Sequence, residues 1–252
     1  MKRAALALVL VACSASSNDF PPLAEGGGPP GSSGGGGGTV RDAGTGDGGA
    51  SGGLIQGRVC IVKDLSNPTV CDTTKDASVV KVTLGTRMPA VGPDHDGVFM
   101  IAAPVGRPVW RATSTGNIFV PSVMPWTTET TIPIVPELLF NDATGMSGVA
   151  PIAAGQGSVV ARVVNGVSPV PAATNLTSIG VTAVPLYATN NGLVWTTTGP
   201  TLASGAVWFP GVDVTSVPGR TITLTPQGGA QVITPVDVVE DQAITFVTQD
   251  LR

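Results

Sequence analysis

The chain has 252 residues, room for one large or two small domains. Charged residues make up only 12%, and 17 acidic against 13 basic residues give a net charge of -4, so there is no broad basic field to hold nucleic acid or anionic lipid. Abundant Val, Thr, Gly and Pro with few Lys and Glu disfavour long helices and suit half-buried strands joined by tight turns.

The N-terminus reads "MKRAALALVLVAC". Lys2 and Arg3 precede a short apolar run, Ala4 to Val11, well below the ~20 residues needed to span a bilayer. Residues 1–12 therefore read as an export signal. The last four residues, Leu10 to Cys13, resemble the lipobox of bacterial lipoproteins. The resemblance implies cleavage before Cys13 and a diacylglycerol on its thiol, with palmitate-like chains as the membrane anchor. Two or more acyl chains hold stably where one is marginal. Ser14 follows where Asp would favour inner-membrane retention, which by the same resemblance places the protein in the outer membrane of a Gram-negative cell envelope.

Residues 13–53 form the next segment. Of 34 glycines in the chain, 15 lie between Gly26 and Gly53. With no apolar periodicity, such a stretch cannot recover the entropy of folding and reads as a disordered, low-complexity linker. Its root-mean-square span would be about 30–40 Å.

From Leu54 the pattern changes to short Val/Ile/Thr runs bounded by Gly, Pro and Asn. A first set of strands is predicted at 55–63, 79–84, 98–102, 109–113 and 128–135. In "SVVKVTL", Val80, Val82 and Leu84 share one face, the period-2 signature of a strand with one side in a core. "VPELLFNDA" at 135–143, the nearest to a helical pattern, has room for one helical turn. A second set is predicted at 158–164, 180–187, 193–197, 206–209, 220–225, 231–236 and 243–248. Asn191-Gly192 between apolar runs suits a tight type I′ hairpin.

The two sets read as weak copies: "QGRVCIV" matches "VVARVVN", "DGVFMIAAPVGRPVW" matches "SGAVWFPGVDVTSVPGR", and "TTETTIPIV" matches "DQAITFVTQ". The expected fold is all-β, with two tandem Greek-key β-sandwiches at 54–136 and 137–252, or one larger sandwich. Gly57, Val59, Val80, Val82, Asp94, Asp96, Gly97, Phe99, Pro104 and Gly106 resemble the pattern of the carboxypeptidase regulatory-like (prealbumin-like) β-sandwich. The resemblance covers about residues 54–112 and implies an accessory module that stabilises, spaces or binds.

His95, the one histidine, lies between Asp94 and Asp96, with Gly97 after it. A catalytic zinc usually takes three protein ligands, and a calcium loop takes several carboxylates at ordered spacing. Neither pattern is present, so "PDHDG" reads as a hairpin turn, with a weak Ca²⁺ contact through Asp94 and Asp96 as the alternative. No catalytic residue and no cofactor is expected: a second His is absent, and Glu129, Glu137, Asp237, Glu240 and Asp241 are scattered. Cys60 and Cys71 read as a disulfide formed after export. Together these features point to a non-enzymatic, membrane-tethered lipoprotein with a structural or protein-interaction role, its partner another envelope or surface protein. The alternative is a carbohydrate-binding module using Trp126, Tyr187, Trp195 and Trp208 as stacking platforms.

Overall fold

A computed structural model describes residues 53–85, 90–103, 108–125, 130–166, 168–169, 172–173, 184–189, 192–199, 204–214, 221–226, 230, 232–236 and 238–252. The first set of strands comprises β1 (Leu54–Ile61), β2 (Val80–Leu84), β3 (Val98–Ala102), β4 (Val109–Ser114), β5 (Phe119–Val120), β6 (Ser122–Pro125) and β7 (Thr131–Pro136). One helix, α1 (Glu137–Met146), follows. The second set is β8 (Gln156–Asn165), β9 (Ser168–Pro169), β10 (Ala172–Ala173), β11 (Leu186–Ala188), β12 (Trp195–Thr196), β13 (Ala206–Asp213), β14 (Thr221–Pro226), β15 (Val232–Pro235) and β16 (Ile244–Asp250). The all-β expectation is met.

The first set forms a sandwich. A sheet ordered β3-β1-β7-β5 faces the β6-β4-β2 end of a larger sheet. The alternation expected in β2 is present: Val80, Val82 and Leu84 are buried while Lys81 is exposed. Phe99 and Ile101 enter the same core, where Phe99 meets Trp110 edge-to-face at 5.7 Å between ring centroids. Pro121 separates β5 from β6. β5 pairs with β7 in one sheet and β6 pairs with β4 in the other, so the chain changes sheets at this proline. The run "FVPSVMP" carries too many prolines for a sequence reading to place two strands there.

The second set builds on β8. Its run "SVVARVV" is buried on both sides, as expected of a central strand rather than a half-exposed one. Val159, Ala161 and Val163 face one core with Val207, Phe209 and Val247. Val160 faces another with Trp208, Ile244 and Phe246. The helix α1 lays Phe140 and Ala143 on this second face. It runs for ten residues rather than one turn. Glu137 in its first turn suits the helix dipole, and Gly148, at φ 66°, ends it.

The repeat seen in the sequence reappears as topology. β1 lies between antiparallel β3 and parallel β7. β8 lies in the same way between antiparallel β13 and parallel β16. Each set also keeps a core of its own. The two are joined because β16 pairs in parallel with β6 as well as β8, giving a nine-stranded sheet with the path β12-β11-β13-β8-β16-β6-β4-β2 and β9 paired to β8 off that path. The described residues fall within a single compact unit, Gly49–Arg252. A third cluster packs Val62, Leu65 and Val135 of the first set against Leu186, Trp195 and Trp208 of the second.

Candidate functional site

The "PDHDG" segment is a turn between the β2 region and β3. The Asp94 amide donates to the Val98 carbonyl (2.9 Å) and the Gly97 amide to the Asp94 carbonyl (3.0 Å). The Asp94 carboxylate accepts the Val98 amide at 2.8 Å, four residues ahead rather than the two ahead typical of Asx turns. Gly97 has φ 86°, and a Cβ there would lie 2.5 Å from the Val59 carbonyl oxygen. Both the left-handed backbone and the close approach to β1 require glycine. Gly57, paired with Phe99 across β1 and β3, is covered by the Phe99 ring, whose nearest atom lies 2.2 Å from where a Cβ would be.

His95 is exposed and its Nδ1 lies 3.2 Å from the Asp76 carboxylate. Asp76 accepts the Ser78 amide. The Ser78 bonds, with His95 adding less, hold its carboxyl below the ordinary range. The Asp96 carbonyl accepts from Arg58 Nε (3.3 Å). Asp94, His95 and Asp96 thus serve the turn and its contacts to β1. Pro104 and Gly106 of the same sequence pattern lie outside the described residues, as do Cys13, Trp126, Glu129 and Asp237.

Cys60 and Cys71 form a disulfide. Cys60 is fully buried at the end of β1, and Cys71 bridges back to Val62. The bond closes the loop that carries Leu65, which is fully buried in the cluster between the two sets. Asp64 shapes this loop by accepting the amide and hydroxyl of Ser66 (2.8 and 2.7 Å). Arg162 of β8, almost wholly buried, donates to Thr69 Oγ1 in the loop (3.4 Å) and to the Ser204 carbonyl (3.5 Å).

Three of the four aromatic residues proposed as sugar platforms are inside. Tyr187, Trp195 and Trp208 are each 5% exposed or less. Trp208 packs edge-to-face against both Trp195 and Phe140. Trp195 Nε1 donates to the Gly192 carbonyl (3.1 Å), and its amide to Ser147 Oγ beyond α1 (2.9 Å). Asn191 of the predicted Asn191-Gly192 turn lies outside the described residues; beside it the Thr189 amide donates to the Val194 carbonyl (3.1 Å).

The sequence did not reveal a cavity of about 410 Å³ beside α1. It is lined by Glu137, Asp241, Asn117, Asn141, Gln242 and Ser158, with Phe119, Phe140 and Ile152 as apolar wall. They come from separate stretches of the chain, 117–121, 137–144, 151–158 and 241–243, that only the fold brings together. Asp241 is positioned by the Gly155 amide (2.8 Å). Gln242 adopts φ 52°, the one positive φ outside glycine among the described residues, held by its amide bond to the Gln156 carbonyl (2.7 Å). The neighbouring Glu240 is ion-paired with Arg111.

No family model matches the chain, and no curated protein matches it. Among solved structures, the Bacillus anthracis TIE protein is similar over 78% of this chain, with 11% identity and a TM-score of 0.22. The chain spans about a third (34%) of that protein's length.

Proposed function

We propose that the protein is a non-enzymatic lipoprotein, anchored through Cys13 in the outer membrane, whose β-sandwich body has a structural or protein-interaction role at the cell envelope. The observation that carries this reading is the "LVAC" sequence at the end of a short apolar run, followed by the glycine-rich stretch to Gly53. A folded β body after such a segment suits a tethered module. The likeness of residues 54–112 to carboxypeptidase regulatory-like domains supports an accessory role. Buried Tyr187, Trp195 and Trp208 offer sugars no stacking face, so a protein partner is the reading we take.

The test is in cells of origin. Crosslinking the tethered full-length protein and identifying what co-purifies should yield an envelope or surface protein. Turnover of ester, glycoside or peptide substrates by the purified chain, lost in point mutants, would overturn the non-enzymatic assignment.

A further inference from the structure

The cavity beside α1 combines features that the fold alone does not demand. Glu137 and Asp241 bring two carboxylates to it from residues a hundred positions apart, and among the described residues that line it there is no Lys, Arg or His. Ser158, at the start of β8, also lines it. Ser158 is 1% exposed, and its hydroxyl finds no hydrogen-bond partner among the described residues. Leaving a buried polar group unpaired is costly, so a ligand that reached it would be favoured. Asn117, Asn141 and Gln242 add amide acceptors, and Phe119, Phe140 and Ile152 offer an apolar wall. Outside the cavity, Ile118 and Leu138 are more than half exposed. They flank it, since the Glu137 amide donates to the Ile118 carbonyl.

We infer that this cavity receives an arginine or lysine side chain of a partner polypeptide, its charged head between Glu137 and Asp241 and its aliphatic stem against Phe119, Phe140 and Ile152. The choice of a cation follows from charge complementarity. The choice of a polypeptide follows from the apolar Ile118 and Leu138 at the rim, which a free small cation would leave in water. A cationic head has only donors, which suits carboxylates, amide oxygens and the Ser158 oxygen together. The inference rests on the interaction role proposed above and names the chemistry of that interaction.

The test uses the full-length protein in detergent, titrated with N-acetyl-argininamide and with its neutral isostere N-acetyl-citrullinamide, followed by amide NMR. The arginine probe should shift Ser158, Gln242 and Ala243 saturably. The citrulline probe, and glucose as a neutral polyol, should bind at least tenfold more weakly. Binding should weaken with added salt. Glu137→Gln and Asp241→Asn should each reduce arginine affinity several-fold while lowering the thermal melt only slightly; Asn at 241 retains an oxygen for the Gly155 amide. Equal shifts from the neutral probes, or unchanged affinity in both variants, would overturn the assignment. Crosslinking that recovers a partner, with no arginine response at the cavity, removes this inference and leaves the interaction role standing. A saturable arginine response without any recovered partner removes the interaction role and, with it, the polypeptide occupant.

Discussion

At position 97 a single residue carries two constraints, the positive φ and the contact with the Val59 carbonyl. Gly97→Val should therefore destabilise strongly, by about 1–3 kcal/mol for the backbone strain alone, with more from the displaced β1 backbone. His95→Ala, at an exposed turn tip, should stay within about 0.5 kcal/mol of the parent. Urea denaturation of both variants orders them. The reverse order, or a melting temperature raised by Ca²⁺ only when Asp94 and Asp96 are intact, would favour a metal contact over a turn. The C-terminus supplies a pH prediction. Asp250 accepts a side-chain bond from Arg252 (2.7 Å) and the Gly166 amide (3.1 Å), and these lower its pKa from 3.8 to about 2. A depressed carboxyl contributes stability that is complete above the unfolded pKa and lost as pH falls through the folded one. Carbon-detected NMR should find the Asp250 midpoint near 2, and Arg252→Ala should move it upward.

Among the elements, the loop closed by Cys60–Cys71 is the one whose role exceeds its length. It spans a sequence separation of 11, which in the chain-entropy model is worth roughly 2–3 kcal/mol. It also holds Leu65 in the cluster between the two sets and offers Thr69 to Arg162. Cys60→Ala/Cys71→Ala should accordingly lower stability and raise hydrogen exchange at Trp195 and Trp208 as well as in β1. Exchange confined to residues 60–71 would show that the loop is only a local staple. The cysteine pairing was legible from export chemistry, and strands such as β2 and β3 were legible because one face is buried and the other wet. The helix α1 and strands β5 and β6 were not. β6 takes its place beside β16, more than a hundred residues on, α1 packs on residues of β8 and β16, and the β5–β6 run is short and proline-broken. The cavity escaped for the same reason: Glu137, Ser158 and Asp241 meet only after β8 and β16 pair.

For the whole molecule, the halves predicted from the internal repeat keep separate cores yet share a sheet through β6 and β16. Calorimetry should therefore record one cooperative transition for residues 54–252, whereas two well-separated transitions would show that the shared seam contributes little. Replacing Cys13 by Ser should abolish fatty-acid labelling and release the protein from membranes; retained label would remove the lipoprotein assignment. The order of strands has a further consequence in time. A chain emerges from the ribosome, or through a membrane, with its N-terminus first. Here the strand that sits mid-sheet, between β8 and β6, is made after both of its partners. Until residues 244–250 arrive, β6 and β8 each present an open edge of unpaired N–H and C=O groups, the kind of surface that recruits other chains. Completion of this sheet is thus an insertion at the centre rather than an addition at the rim, and loss of β16 should give an aggregating product instead of a smaller soluble one.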